Sequence, residues 1–400
     1  MKKLLALVLA LMMALSVVSF ASAEETYKVA MITDYGDITD QSFNQTTWEA
    51  VVKFCTENNV EYQYFKPDTN DTAGRVAKVE LAIADGFNVI VMPGYAFGGT
   101  IAEISGEYPE VKFIVLDVAK GDLLEGGVPL KGESYDYNPD NWNLTDYVYM
   151  DNVYCAIYQE ELCGYMAGYA AVKLGYTKLG FLGGMAVPAV MRYGYGFVQG
   201  ADAAAAELGI TVEMKYVYGN QFFGDADITA YMDNWYQNGT EVVFACGGGI
   251  YTSAVDAAKK VEGAKVIGVD VDQAAVITAY AAGEGASEDE TAKWADLTVT
   301  SAMKGLAPAT IDTLTDVVIN GNWANYAGKI ETLGLVSGDD ASLNYVQIAG
   351  STQFVDGKFT ADDYAALVKD LFEGKIVVSN DITAMPAVTN VTVEELGNIK

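Results

Sequence analysis

Histidine is missing from all 400 residues of the chain, and arginine occurs only twice, as Arg75 and Arg192. Without histidine the chain cannot build Ser-His-Asp or Cys-His catalysis, a histidine-ligated zinc site or a histidine pH switch. Basic residues are scarce overall, because 24 Lys and Arg stand against 54 Asp and Glu and give a net charge of −30. Contacts to nucleic-acid phosphates and to anionic membrane surfaces need basic side chains, so both kinds of partner are disfavoured.

Long hydrophobic runs are lacking in the chain after its N-terminal segment. No stretch there reaches the roughly 18 apolar residues of a membrane-spanning helix. Residues 1–23 are typical of a secretory signal peptide, with a basic start, an apolar run from Leu4 to Val18 and the small residues Ala21–Ala23. We therefore predict an exported protein, periplasmic or associated with the cell surface. The first cysteine is Cys55, far from the predicted cleavage site, so no cysteine for lipid attachment is seen.

Cysteine is also scarce, with four residues scattered widely along the chain: Cys55, Cys155, Cys163 and Cys246. A small disulfide framework needs a denser pattern. If Cys155 and Cys163 share one helix, predicted over Tyr154–Lys173, eight residues at about 1.5 Å each put them roughly 12 Å apart, beyond the reach of a disulfide. We therefore predict four buried free thiols.

Short apolar runs alternate regularly with longer amphipathic segments, which is typical of parallel sheets flanked by helices. The predicted strands are Lys28–Thr33, Glu61–Phe65, Val89–Met92, Lys112–Asp117, Leu179–Gly183, Val212–Tyr218, Val242–Ala245 and Val266–Val269. Ser301–Ile319 is predicted as a helix, Gly121–Asn143 as a long loop and Ile376–Val378 as a final extended stretch. Because four strands fall in each half, we predict an α/β fold of two doubly wound lobes.

Polar residues gather after the predicted strands, where ligands bind in open α/β sheets. Asp34 begins a polar loop that runs to Gln45, and Asp117 and Asp270 follow strands of the two halves. Gly247–Gly249 follow another strand, at a point where backbone can approach a ligand closely. Taken singly, each aspartate is equally explained as a helix cap and the glycines as a turn.

Aromatic residues occur near the same strand ends, namely Phe43, Phe97, Phe222 and Phe223, although each is equally explained as part of the core. Their coincidence with the aspartates favours a flat ring held between aromatic faces, with its hydroxyls bonded by carboxylates. A phosphorylated ligand needs arginine or spare positive charge, so a neutral ligand is favoured.

Five stretches occur in a familiar order: Lys28–Asp34 with Asp40–Gln45, Gly180–Gly184, Val242–Ala245 with the glycine triplet, Ile267–Gln273, and Thr300–Lys304. In this order they resemble the basic membrane protein (BMP) family of ABC-transporter substrate-binding proteins, and in particular its purine-nucleoside receptors. The resemblance implies a type I periplasmic-binding-protein fold. In that fold two α/β lobes are joined by three crossover segments and the ligand lies in the cleft between them.

The resemblance also implies roles for single residues. It assigns Asp34 and Asn44 to the purine base and Phe43 to one stacking ring. It assigns Asp270 and Lys304 to the hydroxyls of the ribose. Because the family's usual lysine before Ser-Phe-Asn is replaced here by glutamine, the anchoring of this loop differs from the family pattern.

The second stacking ring falls within Gly219–Asp225 by the same resemblance. This segment is one residue longer than the family's pattern, which leaves both Phe222 and Phe223 open as the ring. Asp117 and Gly248 are further candidates for ligand contact.

The predicted division places 27–153 and 276–330 in an N-terminal lobe, and 154–275 and 331–400 in a C-terminal lobe. The predicted function is an extracytoplasmic binding protein that captures a purine nucleoside and delivers it to an ABC permease in the membrane. A free sugar or another flat heteroaromatic such as riboflavin is the alternative ligand.

An enzyme is disfavoured by the same sequence. A carboxylate-based hydrolase would have to draw its paired carboxyl groups from Asp34, Asp117 and Asp270. We predict no catalytic residue, no metal site and no cofactor.

Overall fold

Two β-sheets flanked by helices form the computed structural model of the chain, which describes residues 26–34 and 36–400. The predicted signal peptide, residues 1–23, lies outside the described residues. The strands are β1 (Lys28–Ile32), β2 (Glu61–Phe65), β3 (Val89–Pro93), β4 (Lys112–Leu116), β5 (Val153–Tyr158), β6 (Lys178–Gly183), β7 (Val212–Tyr218), β8 (Val242–Cys246), β9 (Lys265–Asp270), β10 (Thr298–Lys304), β11 (Ile330–Leu333), β12 (Val346–Ile348) and β13 (Val391–Asn398). The α-helices are α1 (Phe43–Asn58), α2 (Thr72–Ala84), α3 (Phe97–Ile104), α4 (Lys120–Leu130), α5 (Glu160–Leu174), α6 (Pro188–Leu208), α7 (Ala226–Gln237), α8 (Tyr251–Ala258), α9 (Ala274–Ala282), α10 (Glu288–Ala292), α11 (Leu306–Leu314) and α12 (Ala361–Phe372).

The first sheet has the strand order β11-β5-β4-β3-β1-β2, and all of its neighbouring strands are parallel. The second has the order β12-β10-β9-β8-β6-β7-β13 and is parallel except for the β10–β12 pair. Every residue of β3, β4 and β8 is buried, as expected for parallel strands that helices cover on both faces. We call the sheets, with their helices, the first and the second lobe.

The eight predicted strands are all present, and their ends agree within one residue. The predicted α/β class with two lobes is therefore confirmed. The prediction works here because most of these strands are short apolar runs bounded by glycine or polar residues, a signal that is local in the sequence.

The predicted helix Tyr154–Lys173 is wrong in its first turn and a half. Residues Val153–Tyr158 form β5, which pairs between β4 and β11, and the helix α5 begins only at Glu160. Cys155 therefore lies in a strand and Cys163 in a helix, so the geometric argument from one helix fails. All four cysteines are nevertheless buried and free, as predicted.

Three other segments differ from the prediction. The predicted loop Gly121–Asn143 contains α4, which Asp122 caps by accepting the backbone N–H of Ala119 at 2.7 Å. The predicted helix Ser301–Ile319 begins as the end of β10, because its first residues pair with β9 and β12. The final extended segment is β13, and Ile376–Val378 are not part of a strand. For β10 and β13, pairing with distant strands decides the local structure.

The chain crosses between the lobes three times, at points that hydrogen bonds join together. The first crossing is at Gln159, whose N–H donates to the carbonyl oxygen of Leu333 at 3.0 Å. The second crossing is at Gly305, and the third is the segment between β11 and β12, which contains Tyr345. The N–H of Gly305 donates to the carbonyl oxygen of Tyr345 at 2.7 Å and so joins these two crossings. This arrangement differs from the predicted division of the lobes, since Thr298–Lys304 belongs to the second sheet and not to the first lobe. The second crossing consists of the single residue Gly305, so no change in amino-acid composition along the chain indicates it.

Helices α5 and α6 of the second lobe pack with their backbones in close contact. A Cβ atom on Gly164, Gly168, Gly196 or Gly200 would lie 1.9–2.2 Å from a carbonyl oxygen of the facing helix. Glycine is therefore required at these four positions for α5 and α6 to pack this closely. Within the described residues, no helix combines the length and the apolar character needed to cross a membrane.

Candidate ligand-binding site

A cavity of about 690 Å³, including its open mouth, lies between the lobes at the carboxyl ends of their strands. Its walls come from loops that follow strands in both sheets, as expected for ligand sites in open α/β folds. The lining residues are Asp34, Gly36, Asp40, Phe43, Asn44, Gly94, Tyr95, Asp117, Val187, Ala189, Val190, Tyr193, Phe222, Cys246, Gly247, Gly248, Val269, Asp270 and Lys304.

On the first lobe, Asp34, Asp40 and Asn44 form a group that we call the polar cluster. The Nδ2 atom of Asn44 donates to Oδ1 of Asp34 at 3.0 Å and to Oδ2 of Asp40 at 3.2 Å. The carboxylate of Asp40 also accepts the backbone N–H groups of Ser42, Asn44 and Gln45, so it caps the start of α1. Burial raises the pKa of Asp40, although these hydrogen bonds oppose the rise. The Oδ1 atom of Asn44 is buried and accepts no hydrogen bond from the described residues.

Gly94, directly after β3, leaves the space that Asp34 occupies. A Cβ atom at this position would lie 2.2 Å from Oδ2 of Asp34. The backbone φ of Gly94 is +129°, which side chains with a Cβ rarely adopt. Glycine is therefore required here for the carboxylate to reach the cavity.

On the second lobe, the ring of Phe222 lies against bare backbone. A Cβ atom at Gly184 would come within 2.5 Å of this ring, and one at Gly247, where φ is +145°, within 2.9 Å. The N–H of Gly249 donates to the carbonyl oxygen of Phe222 at 2.8 Å. The glycine triplet thus makes room for an aromatic side chain.

The structure separates the two phenylalanines that the sequence left open. Phe222 lines the cavity. Phe223 does not, and its side chain is 62% exposed on the surface. The ring of Phe222 instead lies over Gly184 and Gly247.

At the base of the cavity lies a group of buried charges that we call the ion cluster: Asp117, Glu160, Arg192, Asp270 and Lys304. The ammonium group of Lys304, in the second lobe, forms an ion pair with Asp117 of the first lobe. It lies 3.6 Å from Oε1 of Glu160 and 3.8 Å from Oδ1 of Asp270. Arg192 binds the other oxygen of Glu160 at 2.7 Å. Three carboxylates therefore share two cations in surroundings that are largely shielded from water.

The charges of this cluster shift the pKa values of its members. Burial raises the pKa of Asp117 to about 6, and Glu160 and Asp270 add to the rise while Lys304 opposes it. Burial alone would lower the pKa of Lys304, but the carboxylates of Asp117, Asp270 and Glu160 outweigh it and raise the pKa. Lys304 therefore stays charged at neutral pH. One oxygen of Asp117, Oδ1, is buried without a hydrogen-bond partner among the described residues.

Aromatic rings surround the head group of Lys304. Its Nζ atom lies 4.6 Å from the centre of the Phe43 ring, 5.4 Å from that of Tyr158 and 5.8 Å from that of Tyr193. Such cation–π contacts stabilise a buried ammonium group. They also fix Phe43, the first residue of α1, at the wall of the cavity.

Asp270 joins the lobes from the other side. Its Oδ2 atom accepts the hydroxyl of Ser42, in the first lobe, at 2.6 Å, and its Oδ1 atom accepts Tyr193 at 3.4 Å. Nearby, Nε2 of Gln273 donates across the cleft to the carbonyl oxygen of Gln41 at 3.0 Å. The cleft is thus bridged by hydrogen bonds at its edge and by the ion cluster at its base.

Eight of the nine residues predicted for the site line the cavity, and Phe223 is the exception. Sequence reasoning missed Asp40, Gly94, Tyr193 and the Glu160–Arg192 pair. Gly94 directly follows β3, just as the glycine triplet follows β8. The search for residues that come after strands could therefore have identified it. The ion pair carries no local signal, because its two members are brought together only by the packing of α5 on α6.

A sequence model of the Bmp family, described as PnrA-like ABC transporter substrate-binding proteins, matches residues 27–336. A relative from Lactococcus lactis, named ABC transporter nucleoside-binding protein BmpA, is 27% identical over 259 residues, which are 62% of this chain and 64% of that protein. The chain thus spans somewhat less than two thirds of that relative. An uncharacterized lipoprotein of Pyrococcus furiosus is 24% identical over 360 residues, or 86% of this chain and 78% of that protein.

Among solved structures, an ABC transporter solute-binding protein from Aeropyrum pernix has a similar fold. Its TM-score is 0.61 at 19% sequence identity, with 89% of this chain and 88% of that chain covered. At this identity the similarity shows the fold alone, which is the predicted type I periplasmic-binding-protein fold.

Proposed function

The chain belongs to the Bmp family of PnrA-like ABC transporter substrate-binding proteins, and on that premise we propose that it captures a purine nucleoside between its two lobes. One observation carries the proposal, namely the inventory of the cavity. The polar cluster lies on one lobe, the ring of Phe222 on the other, and the carboxylates of Asp117 and Asp270 lie with Lys304 at the base. A nucleoside offers a hydrogen-bonding base edge, a flat ring and ribose hydroxyls, which match these three features.

Unpaired oxygens in the cavity support this assignment. The Oδ1 atoms of Asn44 and Asp117 are buried and lack hydrogen-bond partners among the described residues. Leaving such a group unpaired costs about 1–3 kcal/mol. In the proposed complex an N–H of the base donates to Asn44 and a ribose hydroxyl donates to Asp117, so that binding removes both costs.

The aromatic side chains supply the remaining contacts. The base stacks between Phe43 of the first lobe and Phe222 of the second, so that the two lobes close on a single ligand. Asp270 and Lys304 bind the ribose together with Asp117.

The charges of the lining favour a nucleoside over a nucleotide. The described lining residues include four aspartates and one lysine, whose charge Asp117 already balances. A phosphate would therefore meet carboxylates without an unpaired cation, at a high cost in free energy.

The proposed role is that of an exported binding protein that hands its ligand to an ABC permease. The cycle consists of closure, delivery and reopening, and no covalent bond is made or broken. The name of the Lactococcus relative, which states nucleoside binding, agrees with this role.

Thermal unfolding of residues 24–400 tests the ligand. Nucleosides, free bases, riboflavin and simple sugars would be added in turn, since a ligand at 100 times its Kd adds about 2.7 kcal/mol to the stability. We expect adenosine, guanosine or inosine to raise the unfolding midpoint and ribose alone to leave it unchanged. Stabilisation by sugars or riboflavin only would contradict the nucleoside assignment.

Two neighbouring phenylalanines provide a matched pair of variants for the same assay. We expect Phe222→Ala to reduce the stabilisation by nucleoside and Phe223→Ala to preserve it, because only the first side chain lines the cavity. Equal effects of the two variants would remove Phe222 from the stacking role.

A further inference from the structure

The last strand of the second sheet ends beside the loop that carries Phe222. β13 runs parallel to β7 and extends its pairing to Tyr218, the last residue of β7. The N–H of Ile399 then donates to the carbonyl oxygen of Tyr218 at 2.8 Å. The loop Gly219–Asp225 begins at the next residue, so β13 fixes its starting point.

Lys400 binds two side chains of this loop. Its ammonium group forms an ion pair with Asp225 and lies 3.4 Å from Oε1 of Gln221. Gln221 in turn donates from Nε2 to Oδ2 of Asp225 at 2.7 Å and to the carbonyl oxygen of Phe223 at 2.8 Å. Lys400 therefore joins the two ends of the segment that contains Phe222.

Asp225 is itself a structural anchor. Its Oδ1 atom accepts the N–H groups of Asp227 and Ile228 and so caps α7. Its backbone N–H donates to Oγ of Ser253 in α8 at 2.9 Å. The hydrogen bonds of Lys400 thus connect the loop to the rigid parts of the second lobe.

The inner side of the loop has fixed contacts of its own. The N–H of Gly219 donates to the carbonyl oxygen of Gly183, and that of Asn220 to Gly184, both at 2.8 Å. These bonds hold the loop toward β6, and the Gly249–Phe222 bond holds it toward α8. On the outward side, the loop contacts Lys400, which lies two residues after the end of β13. Without this contact, water would compete for the side chains of Gln221 and Asp225.

The first lobe has no counterpart of this arrangement. Its strand β2 holds the position that β7 holds in the second sheet, and among the described residues no strand pairs with the outer edge of β2. β13 and Lys400 also lie beyond residue 336, where the match to the family's sequence model ends.

We propose that β13 and Lys400 position Phe222 for ligand binding, with Lys400 acting as a positioning residue that never touches the ligand. This inference rests on the proposed function, in which Phe222 stacks on the base. Loss of the Lys400 contacts leaves the side chains of Gln221 and Asp225 with only their bonds inside the loop and to the start of α7. The ring then leaves its place over Gly184 and Gly247 for part of the time, and the ligand dissociates faster.

Calorimetric titration of residues 24–400 with adenosine, guanosine and inosine tests this proposal. We expect Lys400→Ala to weaken binding about three- to fivefold, since exposed ion pairs are individually weak. Lys400→Arg should retain nearly all of the affinity. Lys375→Ala is the matched control, because Lys375 is an exposed lysine that pairs with Asp370 and Glu373 and its loss changes the net charge equally.

A double-mutant cycle separates positioning from a general loss of stability. In a Phe222→Leu background, Lys400→Ala should cause little further loss of affinity, because the side chain it positions has been replaced. The same loss in both backgrounds would overturn the proposal.

Amide hydrogen exchange in the ligand-free protein provides a readout that does not depend on the nucleoside. We expect Lys400→Ala, but not Lys375→Ala, to speed exchange in Gly219–Asp225 and at the Gly249 amide. Unchanged exchange would overturn the positioning role even if binding is altered. If the parent protein binds none of the nucleosides, the proposed function fails, whereas the exchange experiment still decides whether Lys400 holds the loop.

Discussion

The two lobes repeat one strand order and use equivalent positions for different purposes. The order β5-β4-β3-β1-β2 in the first sheet corresponds to β10-β9-β8-β6-β7 in the second. A glycine with positive φ follows the third strand of each lobe, as Gly94 and Gly247. An aspartate with positive φ stands at the end of the fourth, as Asp117 and Asp270 with φ values of 60° and 65°. Non-glycine residues rarely take this conformation, which is concentrated at functional sites.

The difference between the lobes lies in what occupies the space above these glycines. In the first lobe it is the carboxylate of Asp34, and in the second it is the ring of Phe222. One backbone framework thus presents hydrogen-bonding groups from one side of the cleft and an apolar surface from the other. The aspartates at the equivalent positions meet Lys304 at the base, where the lobes share their charges.

The largest expected effect comes from breaking the shared charges. Lys304→Met should lower the free energy of unfolding by about 3–5 kcal/mol, because it leaves the carboxylates of Asp117 and Asp270 without their cation. Urea denaturation checks this, with Lys375→Met as the exposed control, which should leave the midpoint unchanged. A loss confined to ligand binding, with unfolding unaffected, would show that the cluster serves the ligand and not the lobes.

The pH dependence of stability tests three buried carboxyl groups, namely Asp117 of the ion cluster together with Asp122 and Glu161. Burial raises the pKa of Asp117 to about 6 and those of Asp122 and Glu161 to about 7, although backbone hydrogen bonds oppose the shift in Asp122 and Glu161. Because the folded state holds these protons to a higher pH than the unfolded chain, stability falls as pH rises from about 4 to 7.

We therefore expect the ligand-free protein to be more stable at pH 5 than at pH 7.5 by several kcal/mol, since each unit of pKa shift corresponds to about 1.4 kcal/mol. Denaturation at a series of pH values checks this expectation. Asp122→Asn should flatten part of the slope, since it removes one of the three protons. A protein that is more stable at pH 7.5 would contradict the assignment.

The close packing of α5 on α6 in the second lobe can be compared with the open surroundings of α4 in the first lobe. Gly200→Ala should cost about 1–3 kcal/mol, because its Cβ would lie 1.9 Å from the carbonyl oxygen of Tyr165 across the α5–α6 crossing. Gly121→Ala in α4 is the control, since its Cβ would meet only the hydroxyl of Tyr135 at 3.6 Å. That variant should be neutral or stabilise the protein by up to about 1 kcal/mol. Thermal midpoints of the two variants measure the contrast, and similar losses would contradict the close packing.

The smallest expected effect concerns the different ligand contacts of the two lobes, with Asp34 at the edge of the base and Phe222 at its face. Asp34→Asn should reduce the discrimination between nucleosides with different base edges by about tenfold, because a charged acceptor is lost. Phe222→Leu should weaken all nucleosides by a similar factor of about two to ten, since stacking reads no edge. Titrations with adenosine, guanosine and inosine compare the variants. The proposed division fails if Phe222→Leu changes the ranking and Asp34→Asn does not.

Most of the fold and much of the site were predictable from local sequence. Most of the strands were found because they are apolar runs of four to six residues between polar or glycine segments. Asp34, Asp117 and Asp270 were found because they stand at strand ends, and parallel strands bring these ends to one edge of the sheet.

Other features depend on contacts between distant residues. β5 became a strand because β4 and β11 pair with it on both sides, although its sequence continues into a helix. β13 has a mixed polar and apolar sequence, and its position beside β7 makes it a strand. The choice between Phe222 and Phe223 depends on which side of one loop faces the cleft.

The sequence by itself therefore determined the fold class, the positions of eight of the strands and the kinds of side chain at their ends, since hydrophobic pattern and strand-end position are local properties. Only the tertiary structure decided where the chain crosses between lobes, which ring enters the cavity and which charges share the base of the cleft. Glu160, Arg192 and Lys304 lie far apart in sequence, and burial gives them a common environment only when both lobes and their crossings are in place.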